Sequence, residues 1–181
     1  MATPGLRLLA DIGGTNARFA LQRPGRPPGR YRELKTKGYK GLASAMRDYL
    51  AARPDFRPEV AALAVAAPIT GDRVRFTNAA WSFSVASLPR ATGIARVHVL
   101  NDFQALAWAL PGLEAGELAK IGRGRRQAGE AMAVFGPGTG LGVSCFVPAA
   151  AGGPAALATE GGHGTLAAGN DREAAAIAQL R

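Results

Sequence analysis

One local pattern occurs twice in this chain and restricts its fold more than any other feature: a short apolar strand, a glycine turn, and a second strand. From Leu6 to Ile12 the residues are mostly apolar, Gly13-Gly14 interrupts, and Asn16-Ala-Arg-Phe-Ala-Leu-Gln follows with Ala17, Phe19 and Leu21 alternating against more polar neighbours. Period-two alternation around a glycine pair predicts a β-hairpin. The same order returns as Ala131 to Phe135, then Gly136-Pro-Gly-Thr-Gly, then Leu141 to Val147. Two such units imply two related halves facing each other.

The intervening sequence alternates strand and helix signals, which puts the chain in the α/β class. Tyr31 to Thr36 reads as a third strand, and Leu42, Ala45, Met46, Tyr49 and Leu50 recur at helical spacing. Val60 to Ala67 is a continuous apolar run closed by Pro68, the pattern of a buried strand. Asp72 to Thr77 is expected to be a strand with Val74 and Phe76 on one face. Arg96 to Leu100 is a further short strand, with His98 expected to be structural, and it ends at Asn101-Asp102. From there a helix carrying Phe103, Leu106, Ala107 and Leu110 runs until Pro111 stops it. Pro111-Gly112 marks an expected boundary between a domain over 1–110 and another over 111–181. Asp171 to Arg181 has helical composition and no stop signal, so the second domain is expected to be only partly present.

Composition narrows the function classes. The 181 residues carry 22 Lys+Arg against 13 Asp+Glu, a formal net charge of +9, with 48% hydrophobic and 19% charged residues, values of a folded globular chain. The excess is mostly arginine, densest at Arg23 to Arg32 and Arg123 to Arg126, without the interleaved aromatics of a surface that stacks single strands. A solvated basic face is therefore preferred over a nucleic-acid site. Cys145 is the only cysteine, which excludes a disulfide framework and a Cys/His zinc site and fits a small buried residue in a reducing cytoplasm. Asp11 interrupts the N-terminal apolar stretch early, and no run approaches the roughly 18 residues that span a bilayer, so neither secretion nor membrane insertion is expected.

Four motifs carry possible chemistry, each with a plainer reading beside it. Asp11-Ile-Gly-Gly-Thr-Asn-Ala-Arg18 could turn backbone N–H groups toward a phosphate, with Asp11 orienting a hydrated Mg²⁺; it could equally be a tight hairpin with a capping aspartate. Gly136-Pro-Gly-Thr-Gly-Leu-Gly142 offers a second cradle with the Thr139 hydroxyl as a further donor, or a structural glycine turn. Asp102 begins a helix, so it either caps that helix or projects into a cleft as a general base. Glu160-Gly-Gly-His163 sets two hydrogen-bonding side chains around two small residues, suited to a polyol or simply to a solvated loop, and Asn78 could reach a sugar hydroxyl. Trp81 and Phe83, near Asn78, are expected in the core.

Taken together these blocks, with Ala67-Pro-Ile-Thr-Gly-Asp72, Thr77-Asn-x-x-Trp-x-Phe-Ser84 and Leu100-Asn-Asp-Phe103, resemble the bacterial glucokinases of the hexokinase/actin-like ATPase superfamily. The resemblance covers nearly the whole chain and corresponds to the N-terminal portion of the family length. It implies a ribonuclease-H-like, actin-like ATPase fold: a small N-terminal α/β domain plus the first part of a second α/β domain, hinged around a cleft for ATP and glucose. It implies that Asp102 deprotonates the glucose 6-hydroxyl while Asn78, Asn101, Glu160 and His163 bind the sugar. It further implies that Gly13, Gly14, Thr15 and Asn16 form one phosphate turn and Gly138, Thr139 and Gly140 the other, with Asp11 near Mg²⁺ through water. The activity implied is ATP-dependent formation of glucose 6-phosphate by a cytoplasmic homodimer. A non-catalytic sugar-sensing module, or an inactive glucokinase fragment, is the alternative.

Overall fold

The computed structural model describes residues 5–76, 81–137, 140–150, 152–165 and 167–179. The chain divides into two compact units, Met1–Leu106 and Ala107–Arg181.

The first unit is built on five strands. Strand β1 (Arg7–Ile12) pairs antiparallel with β2 (Asn16–Gln22), which pairs antiparallel with β3 (Gly29–Lys35). After helix α1 (Leu42–Ala51), strand β4 (Val60–Val65) returns parallel to β1. A two-stranded ribbon, β5 (Arg73–Arg75) with β6 (Ser82–Ser84), and a short helix α2 (Leu88–Thr92) lead to β7 (Arg96–Asn101), parallel to β4. The sheet order is therefore β3-β2-β1-β4-β7.

Alternation decides which face is the core. Leu8 and Ile12 of β1, Ala17, Phe19 and Leu21 of β2, and Ala61, Leu63 and Val65 of β4 are all buried. Leu42, Ala45, Met46 and Tyr49 of α1 close over that face, on the i, i+3, i+4, i+7 stripe that a 3.6-residue period requires. The Phe19 and Tyr49 rings lie 5.2 Å apart between centroids. The apolar run of β4 is buried on this face alone: Val60, Ala62 and Ala64 are half-buried on the other. There Leu9, Ala20, Ala62, Ala64 and Leu100 line a shallow groove. His98 lies within β7 and is exposed.

The ribbon adds an aromatic corner. Val74, Phe76, Trp81 and Phe83 are buried, with Phe76 edge-on to Trp81 at 6.2 Å, and the Trp81 indole donates to the Tyr39 carbonyl at 3.1 Å. Core packing is thus the role of both Trp81 and Phe83. Residues 77–80 lie outside the described residues; of the expected strand, Arg73–Arg75 form β5, while the Phe76 N–H donates to the Trp81 carbonyl at 3.2 Å and the Asp72 carbonyl accepts the Val85 N–H at 2.8 Å.

Helix α3 (Asp102–Ala109) leaves the end of β7 and carries the division between units. In the second unit, β8 (Met132–Pro137), β9 (Leu141–Ala150) and β10 (Gly153–Ala158) form an antiparallel sheet in the order β10-β9-β8. Its small core gathers Ala107, Phe146 and Ala156, with Trp108 edge-on to Phe146 at 5.6 Å. Cys145 is half-buried rather than sealed in. Helix α4 (Asp171–Gln179) follows, its N-terminal amide at Glu173 taken by the Asn170 side chain at 2.9 Å. Among the described residues, no helix is long and apolar enough to cross a membrane.

Tyr49 links core to backbone: its ring is fully buried and its hydroxyl donates to the Arg30 carbonyl at 2.7 Å, where Arg30 holds φ at 57°. Tyr49→Phe, which keeps the ring, is expected to lower the unfolding free energy by about 1 kcal/mol. Tyr49→Ala should lower it by roughly 3–5 kcal/mol. Urea denaturation of both variants checks this; equal losses would show that the hydroxyl, not the ring, carries the stability.

Candidate active site

The parallel ladder sets the site. In register, Asp11 of β1 faces Ala64 of β4, which faces Leu100 of β7; one step on, Ile12, Val65 and Asn101 line up. The carboxyl ends of three parallel strands therefore finish on one line, the edge where open α/β sheets bind ligands. Asp11 and Leu100 are two strand spacings apart, about 10 Å.

At this edge β1 turns into β2 through Gly13-Gly14-Thr15. The turn closes with the Gly13 N–H on the Asn16 carbonyl at 2.9 Å. Neither glycine takes a positive φ, and a Cβ on Gly13 would meet only the Asn16 oxygen, at 3.5 Å. Left-handed geometry is thus not what these glycines supply. The N–H groups of Gly14 and Thr15 have no protein acceptor among the described residues. They are the donors an anion would take.

A row of charges crosses the neighbouring strands. Asp11 accepts from Arg18 at 3.0 Å, Arg18 also donates to Glu33 at 2.9 Å, and Lys35 donates to Asn16 at 2.8 Å. The pairs follow the register, Asp11 opposite Arg18, Arg18 opposite Glu33, and Asn16 opposite Lys35. All are solvent-exposed, so each contributes little to stability. Sequence reading gave Arg18 no role. The signal was available, because period-two alternation already put Arg18 on the non-core face beside Asp11.

At the other side of β4, the end of β7 gives adjacent residues separate contacts. The Asn101 Oδ1 accepts the N–H groups of Phe103 at 3.0 Å and Gln104 at 3.3 Å, which makes Asn101 the helix cap. Its Nδ2 donates weakly to the Ala67 carbonyl at 3.4 Å. Asp102 occupies the first helical position, and its Oδ1 accepts the neighbouring Phe103 N–H at 2.9 Å, with the Asn101 side chain also hydrogen-bonded to the carboxyl. Burial pushes the Asp102 carboxyl above the usual aspartate range, the Phe103 N–H and its own N–H pull it back, and the charge of Asp11 pushes it further up.

In the second unit the expected glycine cradle joins β8 to β9, with Gly136 opposite Gly142 and Pro137 opposite Leu141. Gly140 is described and exposed; Gly138 and Thr139 lie outside the described residues, as does Asn78. The segment Gly161–His163 is a single turn of 3₁₀ helix pressed against the start of β9. A Cβ on Gly161 would come within 2.9 Å of the Val143 Cβ, and one on Gly162 would collide with the Leu141 carbonyl oxygen. Close approach, rather than freedom to swivel, is why both positions are glycine. The turn brings Glu160 and His163 beside each other, Oε2 to Nε2 3.8 Å, with exposed side chains. The structure thus gathers Asp11, Gly13, Gly14, Thr15, Asn16, Asn101 and Asp102 in one unit, and Gly140, Glu160 and His163 in the other.

Among the described residues, no three His, Cys, Asp or Glu side chains converge on a metal position. A cation held by one or two carboxylates plus waters and substrate phosphates is Mg²⁺ chemistry. The exposed Asp11 carboxylate, within the electrostatic field of Asp102, suits that mode.

The geometry has counterparts. The model of the glucokinase family matches residues 8–181. A glucokinase of Aromatoleum aromaticum is 52% identical over 176 residues, covering 96% of this chain and 53% of that protein. The crystal structure of a glucokinase from an Antarctic psychrotroph superposes with a TM-score of 0.87 at 38% identity, over 99% of this chain and 57% of that one. A ROK-family glucokinase from Streptomyces griseus, in complex with glucose and AMPPNP, shares the fold at a TM-score of 0.58 and 21% identity, over 79% of this chain and 45% of that one. These neighbours have the actin-like ATPase fold, and the chain spans about half the length of the curated relatives it matches. With its family match running from β1 to the C-terminus, the chain belongs to the glucokinase family.

Proposed function

We propose that this chain supplies the catalytic base and a phosphate turn for transfer of the ATP γ-phosphoryl group to the 6-hydroxyl of glucose, giving the glucose 6-phosphate that enters glycolysis. The observation that carries this reading is Asp102: a half-buried carboxyl at the carboxyl edge of the sheet, relieved of capping by Asn101 and raised in proton affinity by burial. A carboxylate so placed accepts a proton more readily than an exposed one.

In the reaction the Asp102 carboxylate takes the proton of the 6-hydroxyl as that oxygen bonds to the γ-phosphorus. The bond from γ-phosphorus to the bridging oxygen breaks, and ADP leaves with the electron pair. Gly14 and Thr15 offer free amides to the phosphates, with Gly13 and Asn16 closing their turn, and the family resemblance makes Gly138, Thr139 and Gly140 a second phosphate turn. By the family resemblance Asn78, Asn101, Glu160 and His163 would bind the sugar. Mg²⁺, when bound, neutralises charge on the phosphates. Asp11 would hold one of its waters. The Streptomyces griseus relative crystallised with glucose and AMPPNP supports this choice of substrates.

A coupled assay of glucose 6-phosphate formation tests the reading, run on this chain alone and fused to the part of the Aromatoleum aromaticum glucokinase beyond the match. Turnover that requires both ATP and glucose is expected in the fusion. Glucose binding with no turnover would instead leave a sugar-binding module.

In the active form, Asp102→Asn is expected to lower kcat by about 10²–10⁴-fold while glucose affinity stays within about threefold. Retention of most of the turnover removes Asp102 from the role of base. Glu160→Gln should raise the glucose Kd about tenfold with little change for nucleotide, a loss of one hydrogen bond to a charged acceptor; isothermal titration distinguishes the two ligands.

The raised Asp102 pKa also has a stability consequence. The folded state holds this proton more tightly than the unfolded one, so the contribution is complete below the unfolded value of about 3.9 and is lost as pH rises through the folded value. Asp102→Asn should therefore raise Tm at pH 7, and the gain should shrink as pH falls toward 4. A gain that grows on acidification would reverse the sign assigned to Asp102.

A further inference from the structure

Thr36, at the exit of β3, is a polar residue of the core, only 5% exposed. Its Oγ1 lies 2.7 Å from the Gly14 carbonyl and 3.1 Å from that of Thr15, and its N–H donates to the Thr15 carbonyl at 3.0 Å. One buried residue, 22 positions from Gly14 in sequence, thus holds both carbonyls at the crest of the first glycine turn. Because a trans peptide is planar, its C=O and N–H point in opposite directions. Drawing the Gly14 carbonyl inward to Thr36 therefore turns the Thr15 N–H outward, where Thr15 is exposed. A hydrogen-bonded hydroxyl is needed for this; a methyl group in its place leaves the Gly14 carbonyl without that donor.

We propose that Thr36 is a positioning residue for nucleotide binding, its buried hydroxyl fixing the Gly13-Gly14-Thr15 turn in the orientation that presents the Thr15 amide to a phosphate. The proposal rests on the kinase reading above and adds to it a residue that touches neither substrate. It acts through the turn alone, so its loss affects nucleotide rather than sugar.

Thr36→Val keeps the shape of the side chain and removes the hydroxyl; Thr36→Ser keeps the hydroxyl and removes the methyl. In the fusion described above, Thr36→Val is expected to weaken Mg·AMPPNP binding about tenfold and leave the glucose Kd within about twofold, while Thr36→Ser retains nucleotide affinity within about threefold. Amide exchange at Thr36 and Gly13 should quicken about tenfold in Thr36→Val and stay near wild type in Thr36→Ser. Wild-type nucleotide affinity in Thr36→Val overturns the assignment and leaves the kinase reading standing. Equal weakening in Thr36→Ser, or an equal loss for glucose, also overturns it, since packing rather than the hydroxyl would then be responsible. Failure of the unsubstituted fusion to bind Mg·AMPPNP sinks both readings.

Discussion

The register of β1, β4 and β7 is the constraint on which the described site depends. Ile12 and Val65 point into the core and cannot do otherwise without exposing apolar surface, and that fixes Asp11 on the opposite face. A slip of one residue would exchange the faces, burying Asp11 and exposing Ile12. The same ladder carries Asn101 to the level of Val65, so helix α3 starts where β1 enters its turn. Apolar burial thereby positions polar chemistry, although none of the buried residues takes part in it.

Two carboxylates on one sheet edge have been given different electrostatic surroundings. Asp11 is exposed and neutralised by Arg18, which is itself held by Glu33. Asp102 is half-buried and faces backbone N–H groups, with the Asp11 charge near enough to disfavour its ionisation. Separation of that kind lets neighbouring acids behave differently. The division at Asn101-Asp102 has the same economy: the amide caps the helix, so the acid beside it is not consumed by capping.

Legibility in the sequence followed the strength of local signals. The hairpin over Asp11 to Arg18, helix α1, and the strand-to-helix junction at Asn101-Asp102 were legible because period-two and period-3.6 patterns met there with glycine, proline and cap residues. Strand β10 was not, since Gly153-Pro-Ala-Ala-Leu-Ala has little strand propensity and is held in place by pairing with β9. Strand β6 spans Ser82–Ser84 and helix α2 Leu88–Thr92, each too short to show a period.

By itself the sequence determined the α/β class, the first glycine turn and the family, because these depend on spacing along one chain and on side-chain chemistry. Tertiary structure alone decided which neighbour does which task. Asn101 rather than Asp102 became the cap, Arg18 was set against Asp11, Gly161 and Gly162 were required by the approach of β9, and Thr36 came to hold a turn 22 residues away. Each of those outcomes is a distance between atoms far apart in sequence, fixed when apolar burial chose the register and closed the backbone around it.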